Sequence, residues 1–335
     1  MTIEAIPVNT SVDPQITERL LREEVRREVR QRLARGTLAR LHGEWELTAR
    51  EYASLYTEEQ HRLVIAATVR GMRTDAAVIS YVSAVVTHGL PLFRTKPRRT
   101  HVTMRAGAAT RSHPTVFRHR DSLPEEDIVL VDGLLVTSLE RTVVDAIRAL
   151  RLEAALSVAD AAIRRVAWDE GAKVYDDVAA EEFRARLWQR VFRMPGARGI
   201  RQARWVLELA DGRAEGPGES TGRLYLLLLG FATPRLQVVV PGPNGLIFRV
   251  DAGLDDVGFW WEFDGLTKYT DPALTGGRTV SEILERQRSR QQWIETATGR
   301  RFTRCGWEHL DAPTTLATKL KADGVRMPGA HILPL

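Results

Sequence analysis

Apolar residues near the start of the chain recur at the three- and four-residue spacing of an amphipathic helix. The residues that share this face are Leu20, Leu21, Val25, Val29 and Leu33. Asp13 followed by Pro14 is typical of a helix start. After Arg35-Gly36, apolar and polar residues alternate up to Gly43, which predicts a short strand and a turn. Helices followed by a hairpin predict a winged helix-turn-helix over residues 13–50.

The opposite face of this helix is basic. Its arginines are Arg22, Arg26, Arg27, Arg30 and Arg32. Such a row can dock on the phosphates of DNA. The alternative is a solvated helix face, because Glu23, Glu24 and Glu28 are interleaved with the arginines.

Short periodic segments predict a second, α+β domain over residues 57–165. Helices are predicted over Glu59–Met72 and Ala76–Thr87. Strands are predicted over His101–Met104, Thr115–His119, Ile128–Val131 and Leu135–Val136. A capping box from Thr137 to Glu140 predicts the next helix start. We interpret His88, His101, His113 and His119 as ordinary core or surface residues, since they lack the spacing of a metal-binding pair.

A charged stretch with glycine and proline breaks, residues 166–214, predicts a helical linker region, and a third domain follows over residues 215–325. A helix is predicted from Glu219 to Leu229. The later elements are strands over Gln237–Val240, Ile247–Asp251 and Phe259–Asp264, a helix over Glu282–Ile294, a strand over Arg301–Cys305 and a helix after Pro313. The chain is therefore predicted to be an α+β multidomain protein.

Three carboxylates lie on the predicted strands of this third domain. Glu262 and Asp264 are two residues apart on a strand and point to one face, and Asp251 is expected to end the neighbouring strand. Burying a carboxylate in a strand of Phe and Trp costs free energy unless a cation or hydrogen bonds compensate its charge. Hard oxygen ligands suit Mg²⁺ or Mn²⁺. Such a metal activates water and stabilises charge on a phosphodiester that is being cleaved.

The composition of the chain excludes several classes of protein. The chain has 335 residues, 44% hydrophobic and 27% charged, which is typical of packed globular domains. A single cysteine, Cys305, excludes an intramolecular disulfide and a cysteine zinc site. No apolar run reaches the length of a membrane-spanning helix and no secretory signal is visible, so a cytoplasmic location without membrane partners is expected. A net charge of +5 permits a polyanionic partner.

Several motifs of the third domain resemble those of the actinobacterial domain related to very-short-patch-repair endonucleases, and they occur in the same order along the chain. That domain belongs to the PD-(D/E)xK nuclease-like superfamily. The motifs are Glu219, Gln237, Phe248 to Asp251, Glu262 to Gly265, Lys268-Tyr269, Glu285 to Arg288 and Arg304 to Leu310. The resemblance implies a restriction-endonuclease-like α/β/α domain. It also implies that Asp251 and Glu262 bind a divalent metal, with Glu219 assisting and Gln237 nearby.

One departure from that family concerns the lysine expected two residues after Glu262, where this chain has Asp264. Lys268 or Arg286 could supply the positive charge, since chemistry needs it in space rather than in sequence. Arg286 and Arg288 are also candidate DNA-binding residues, with a solvated helix face as the alternative. Three interpretations stay open for the acids: an active nuclease, a metal-poor nucleic-acid-binding relic, or a structural acid cluster.

The first half of the chain is similar to AbiEi-type antitoxins of type IV toxin-antitoxin systems. The similarity rests on Arg35-Gly36, Leu41 to Gly43, Val78 to Ala84, His88 to Pro91, and Asp132 to Asp145. It implies a winged helix-turn-helix, with Arg26, Arg27, Arg30 and Arg32 as candidate DNA contacts, and a possible cognate toxin as partner. A non-enzymatic regulator is therefore the alternative to a DNA endonuclease, and the oligomeric state is left open.

The remaining chemistry-bearing residues are expected to serve packing. The run Phe259, Trp260, Trp261 and Phe263 is interpreted as core between sheet and helices, with base stacking as the alternative. Cys305 is interpreted as a packing residue, since no histidine partner lies at an informative spacing.

Overall fold

The computed structural model describes residues 38–42, 45–72, 77–105, 112–265 and 279–328, which form a mixed α+β fold. Its helices are α1 (Ala49–Ser54), α2 (Thr57–Gly71), α3 (Tyr81–Thr87), α4 (Leu139–Ala149), α5 (Leu152–Ala167), α6 (Asp177–Phe192), α7 (Ile200–Leu209), α8 (Pro217–Leu228), α9 (Val280–Thr298) and α10 (Pro313–Ala322). Its strands are β1 (Leu38–His42), β2 (Trp45–Thr48), β3 (Ala77–Ile79), β4 (Thr100–Met104), β5 (Val116–His119), β6 (Ile128–Val131), β7 (Leu134–Thr137), β8 (Trp168–Asp169), β9 (Val174–Tyr175), β10 (Arg235–Pro241), β11 (Ile247–Leu254), β12 (Phe259–Phe263) and β13 (Arg301–Cys305). Within these residues no helix is long and apolar enough to span a bilayer.

The first described element is the antiparallel hairpin β1–β2. It agrees with the strand predicted from the alternation before Gly43. The predicted basic helix, with Arg26, Arg27, Arg30 and Arg32, lies outside the described residues, and the winged helix-turn-helix over residues 13–50 stays a prediction.

A five-stranded mixed sheet with the order β5-β4-β3-β7-β6 follows. The helix predicted over Ala76–Thr87 is wrong in its first part, because residues 77–79 form the central strand β3 and only residues 81–87 are helical. Val78 and Ile79 are buried, and β-branched side chains suit a central strand covered on both faces. The predicted capping box is also displaced by one residue, because Ser138 caps α4 and accepts a hydrogen bond from the backbone N–H of Arg141.

The helices α6 and α7 belong to the main hydrophobic core. Their buried residues are Ala180, Phe183, Leu187, Val191, Ile200, Ala203, Val206 and Leu207. These side chains join one continuous cluster that runs from Ile65 in α2 to Val325 after α10. The segment predicted as a helical linker region thus contains the short hairpin β8–β9 and two helices, and these helices pack against α4 and α5.

The last unit has the predicted order of helix, three strands, helix, strand and helix. Its sheet has the strand order β10-β11-β12-β13, antiparallel except for the parallel pair β12–β13. Asp251 does not end a strand as predicted, because β11 continues to Leu254 and Asp251 lies within it.

The tryptophans of β12 are buried on the two sides of this sheet. Trp261 packs against α8, where Gly222 leaves space for its indole ring: a Cβ at position 222 would lie 2.2 Å from that ring. Trp260 joins a small second cluster with Ile294 of α9. The interpretation of these rings as core is confirmed, as is the burial of Cys305.

A buried ion pair joins the last unit to the preceding helices. Arg223 of α8 donates to both carboxylate oxygens of Asp160 in α5, at 2.9 and 2.7 Å, and both side chains are almost fully buried. The same arginine also donates to the carbonyl oxygen of Leu209. Asp160 in turn accepts the backbone N–H of Asp211 at 2.8 Å. The pair therefore fixes α8 relative to α5 and α7.

A second polar group consists of histidines around β4 and β5. His61 Nε2 lies 2.8 Å from the Ser83 hydroxyl, and His119 Nε2 lies 3.0 Å from Nδ1 of His101. Tyr81, whose φ of 51° is left-handed, stacks on His119 with ring centroids 3.7 Å apart. Burial lowers the pKa of His61 and of His101 to about 4, and that of His119 to about 3.

These depressed pKa values predict that acid destabilises the protein. An unfolded histidine titrates near pH 6.5, so between that pH and about pH 3 the unfolded chain binds more protons than the folded one and stability falls as the pH falls. For His61 alone the expected loss between pH 7 and pH 5 is about 2 kcal/mol. Urea unfolding at the two pH values measures this loss. His61→Gln should reduce the pH dependence, whereas replacement of the exposed His113 should not; an equal effect of the two replacements would contradict the prediction.

Candidate functional site

A solvent-open hollow of about 360 Å³ lies between the last sheet and α9. Its lining combines three acids, three arginines, an amide and one apolar residue: Arg249, Asp251, Glu262, Asp264, Ile283, Arg286, Gln287 and Arg290. Because α9 contributes residues 283, 286, 287 and 290, one face of this helix closes the hollow. The sheet contributes Arg249, Asp251 and Glu262, and Asp264 directly follows β12.

Glu262 is the most buried of these acids, with 5% of its surface exposed. Its Oε1 lies 2.7 Å from a guanidinium nitrogen of Arg290, and its Oε2 lies 2.7 Å from one of Arg304. Arg304 stands directly opposite Glu262 in the parallel pairing of β12 and β13. The buried carboxylate is therefore compensated by two cations, one from the helix and one from the neighbouring strand.

Arg304 also connects Glu262 with Asp264. A second nitrogen of its guanidinium donates to Asp264 Oδ2 at 2.8 Å, and its Nε donates to Gln291 Oε1 at 3.0 Å. Gln287 donates to the same oxygen of Asp264 at 2.9 Å. The prediction that Glu262 and Asp264 share one face is confirmed, because both meet the same guanidinium.

Asp251 reaches the hollow from the adjacent strand. Its Oδ2 accepts the backbone N–H of Phe263 at 2.8 Å. This hydrogen bond joins β11 to β12 beyond the last regular pair of those strands, Ala252 with Trp261. Asp251 and Glu262 therefore line the same hollow.

Glu219 is not among the residues that line the hollow. Its Oε2 accepts the side-chain amide of Gln237 at 3.3 Å and the backbone N–H of Glu215 at 3.0 Å. Gln237 has a left-handed φ of 48° and stands opposite Asp251, between the pairs Leu236–Ala252 and Val238–Val250. The predicted neighbourhood of Glu219 and Gln237 is confirmed.

The remaining predicted residues divide into two groups. Arg286 lines the hollow, whereas Arg288 is exposed on the same helix and does not line it. Lys268, the predicted activator of water, lies outside the described residues.

The sequence analysis did not identify Arg249, Arg290 and Arg304 as site residues. A signal existed for Arg290, which is one helical turn after Arg286, but the role of Arg304 depends on the parallel register of β13.

The arrangement of these acids does not fit a divalent cation as it stands. Both oxygens of Glu262 face guanidinium groups at 2.7 Å, and a metal ion there would be repelled by two positive charges. Among the described residues no group of three or more His, Cys, Asp or Glu side chains is arranged to hold a metal. Binding of Mg²⁺ or Mn²⁺ by Asp251 and Glu262 stays a prediction, and we derive no chemical step through a metal.

Comparisons with known proteins add little about activity. No family model matches the chain. It is similar to two uncharacterized proteins of Mycobacterium tuberculosis, MT2308 from strain CDC 1551 and Rv2248 from strain H37Rv, with 33% identity over 143 residues in each case. The match covers 43% of this chain and 48% of each relative. The chain thus spans about half the length of the curated relatives it matches, and the names of those relatives state no activity.

Proposed function

We propose that this chain is a DNA-binding protein whose last unit holds a phosphodiester of the nucleic acid at the hollow. The carrying observation is that Arg249, Arg286 and Arg290 reach one open hollow from a strand and a helix. Guanidinium groups are well suited to phosphate oxygens, because their planar donors match the geometry of the anion.

The acids of the hollow support this function indirectly. Glu262 holds Arg290 and Arg304 in place, and Gln287 and Arg304 hold Asp264. Arg249 and Arg286 are exposed at the rim. A phosphate can therefore approach the rim arginines while the half-buried Arg290 and Arg304 stay balanced by carboxylates. The resemblance of the first half of the chain to AbiEi-type antitoxins supports DNA as the partner, and a cognate toxin remains part of that proposal.

Salt-dependent binding tests the proposal. We expect the full chain to bind a fluorescein-labelled duplex in anisotropy titrations at low salt, with affinity falling as salt rises. Arg249→Ala with Arg286→Ala should weaken binding by about tenfold and reduce the salt slope by about two, since two phosphate contacts are lost. Arg201→Ala with Arg204→Ala removes the same charge from exposed positions of α7 and is the matched control.

The outcomes separate the contributions of the two ends of the chain. Equal loss in the hollow variant and in its control would show that only net charge matters, and the hollow would be rejected as a phosphate site. If the hollow variant keeps full affinity while replacement of Arg26, Arg27 and Arg30 by alanine abolishes binding, DNA is bound by the predicted winged helix alone. Absence of binding at low salt would reject DNA binding altogether.

Metal-dependent cleavage of DNA is the second candidate function. The observation that favours it is the convergence of Asp251, Glu262 and Asp264 on one solvent-open hollow. For a cation to bind there, Glu262 would have to release at least one arginine. Incubation of plasmid with the full chain and MgCl₂ or MnCl₂ tests cleavage; nicking by wild type that is lost in Asp251→Asn would support it, and equal nicking by both proteins would identify a contaminant.

A further inference from the structure

The helix α6 presents apolar side chains on the face opposite its buried one. Its inner face is formed by the buried residues Ala180, Phe183, Leu187 and Val191, which belong to the main core. On the outer face, Val178 and Phe192 are 68% and 63% exposed, and Ala185 midway between them is also exposed. We call Val178, Ala185 and Phe192 the α6 stripe.

The α6 stripe has the spacing by which helices pair. Its three residues follow one another at intervals of seven, which keeps them along one line of a helix that coils slightly around a partner. The ring of Phe192 stacks on that of Trp188, with centroids 5.3 Å apart. Single exposed apolar residues are ordinary on a surface, but an aligned row of them on one helix is typical of a surface that binds another helix.

The α6 stripe is complementary to itself when two copies run antiparallel. Ala185 lies at its centre, with one larger side chain at the same distance on either side. Around a two-fold axis at Ala185, Val178 of one copy faces Phe192 of the other and the two alanines face each other. Since the distance between packed helices depends on the side chains at their contact, a small residue at the axis lets the helices approach closely.

The charges of α6 fit this orientation. Asp177, Glu181 and Glu182 are exposed near the start of the helix, and Arg193 is exposed at its end. An antiparallel pair brings the acidic start of each helix against the end that carries Arg193. A parallel pair would place the acids of the two copies side by side, where like charges repel. The same acids disfavour DNA as the occupant, because they repel its phosphates.

We propose that the α6 stripe is the interface of a homodimer, in which α6 packs antiparallel against α6 of a second copy of this chain. The inference goes beyond the proposed DNA binding and does not depend on it. The helix has 16 residues and is therefore about 24 Å long. An interface of this length is small, so we expect a weak dimer with a dissociation constant of about 10 µM.

Sedimentation velocity of the full chain from about 1 to about 100 µM tests the dimer. Wild type should change from monomer to dimer as its concentration rises. Ala185→Glu places two like charges at the two-fold axis and should raise the dissociation constant at least about tenfold. The variant should fold, because position 185 is exposed and glutamate favours a helix. Ala322→Glu adds the same charge at an exposed alanine of α10 and is the matched control, which should dimerise like wild type.

Cysteine cross-linking tests the antiparallel orientation. The natural cysteine, Cys305, is buried, so an introduced surface cysteine supplies the accessible thiol. With copper phenanthroline as oxidant, Ala185→Cys should form a disulfide-linked dimer, because its two copies meet at the axis. Val178→Cys alone should stay monomeric, since its two copies lie about 21 Å apart along the helices, too far for a disulfide. A mixture of Val178→Cys and Phe192→Cys should cross-link.

The outcomes decide the dimer separately from DNA binding, because no DNA is present in these measurements. Wild type that stays monomeric up to about 100 µM would overturn the proposal and leave the α6 stripe to a different protein. A dimer that persists unchanged in Ala185→Glu would place the interface elsewhere on the chain and reject the α6 stripe. Cross-linking of Val178→Cys with itself as efficient as that of Ala185→Cys would contradict the antiparallel pair.

Discussion

Replacement of Arg223 by alanine is expected to lower the free energy of unfolding by about 3–5 kcal/mol. The substitution leaves Asp160 almost fully buried without its cation, and burial already raises the pKa of this carboxyl above its usual range. It also removes the donor to the carbonyl oxygen of Leu209. Since α8 carries Glu219 and packs against β12, the loss should loosen the last unit at its junction with α5.

Urea unfolding followed by tryptophan fluorescence measures this loss. Arg213→Ala is the matched control, because Arg213 also pairs with two carboxylates, those of Asp177 and Asp211, but is one-third exposed. The control should cost no more than about 1 kcal/mol. A loss below 1 kcal/mol in Arg223→Ala would show that the buried pair contributes little.

Replacement of Glu262 by glutamine is expected to change stability and binding in opposite directions. Stability should fall by about 2 kcal/mol, because the buried side chain at position 262 loses its charge and with it the ion pairs with Arg290 and Arg304. Affinity for DNA at low salt should rise by about fivefold, since removal of one negative charge near a phosphate is worth about 1 kcal/mol. Chemical unfolding and anisotropy titrations measure the two effects.

Asp255→Asn is the control for this pair of effects. Asp255 also meets two arginines, Arg235 and Arg300, but its side chain is about half exposed and does not line the hollow. Neither stability nor affinity should change appreciably. Weaker DNA binding by Glu262→Gln would contradict the assignment of Glu262 as the group that balances the two arginines. Loss of magnesium-dependent cleavage in the same variant would favour the second candidate function.

The sequence alone predicted much of the last unit. Its order of helix, strands and helices follows from hydrophobic periodicity and from glycine and proline breaks, which are local signals. The spacing of Glu262 and Asp264 predicted their common face, since strand side chains alternate. The burial of Trp260 and Trp261 followed from a continuous aromatic run on a central strand.

Only the tertiary structure decided what these residues contact. The strand Ala77–Ile79 was missed because a three-residue apolar segment before a helix carries no periodicity of its own, and its central place in the sheet stabilises it. The acids were predicted to bind a metal ion. In the structure, Glu262 forms ion pairs with an arginine from α9 and an arginine from β13. Whether a buried carboxylate meets a cation of the chain or one from solution depends on long-range register and helix placement. Residue type predicts that the charge must be compensated, and the fold determines which group compensates it.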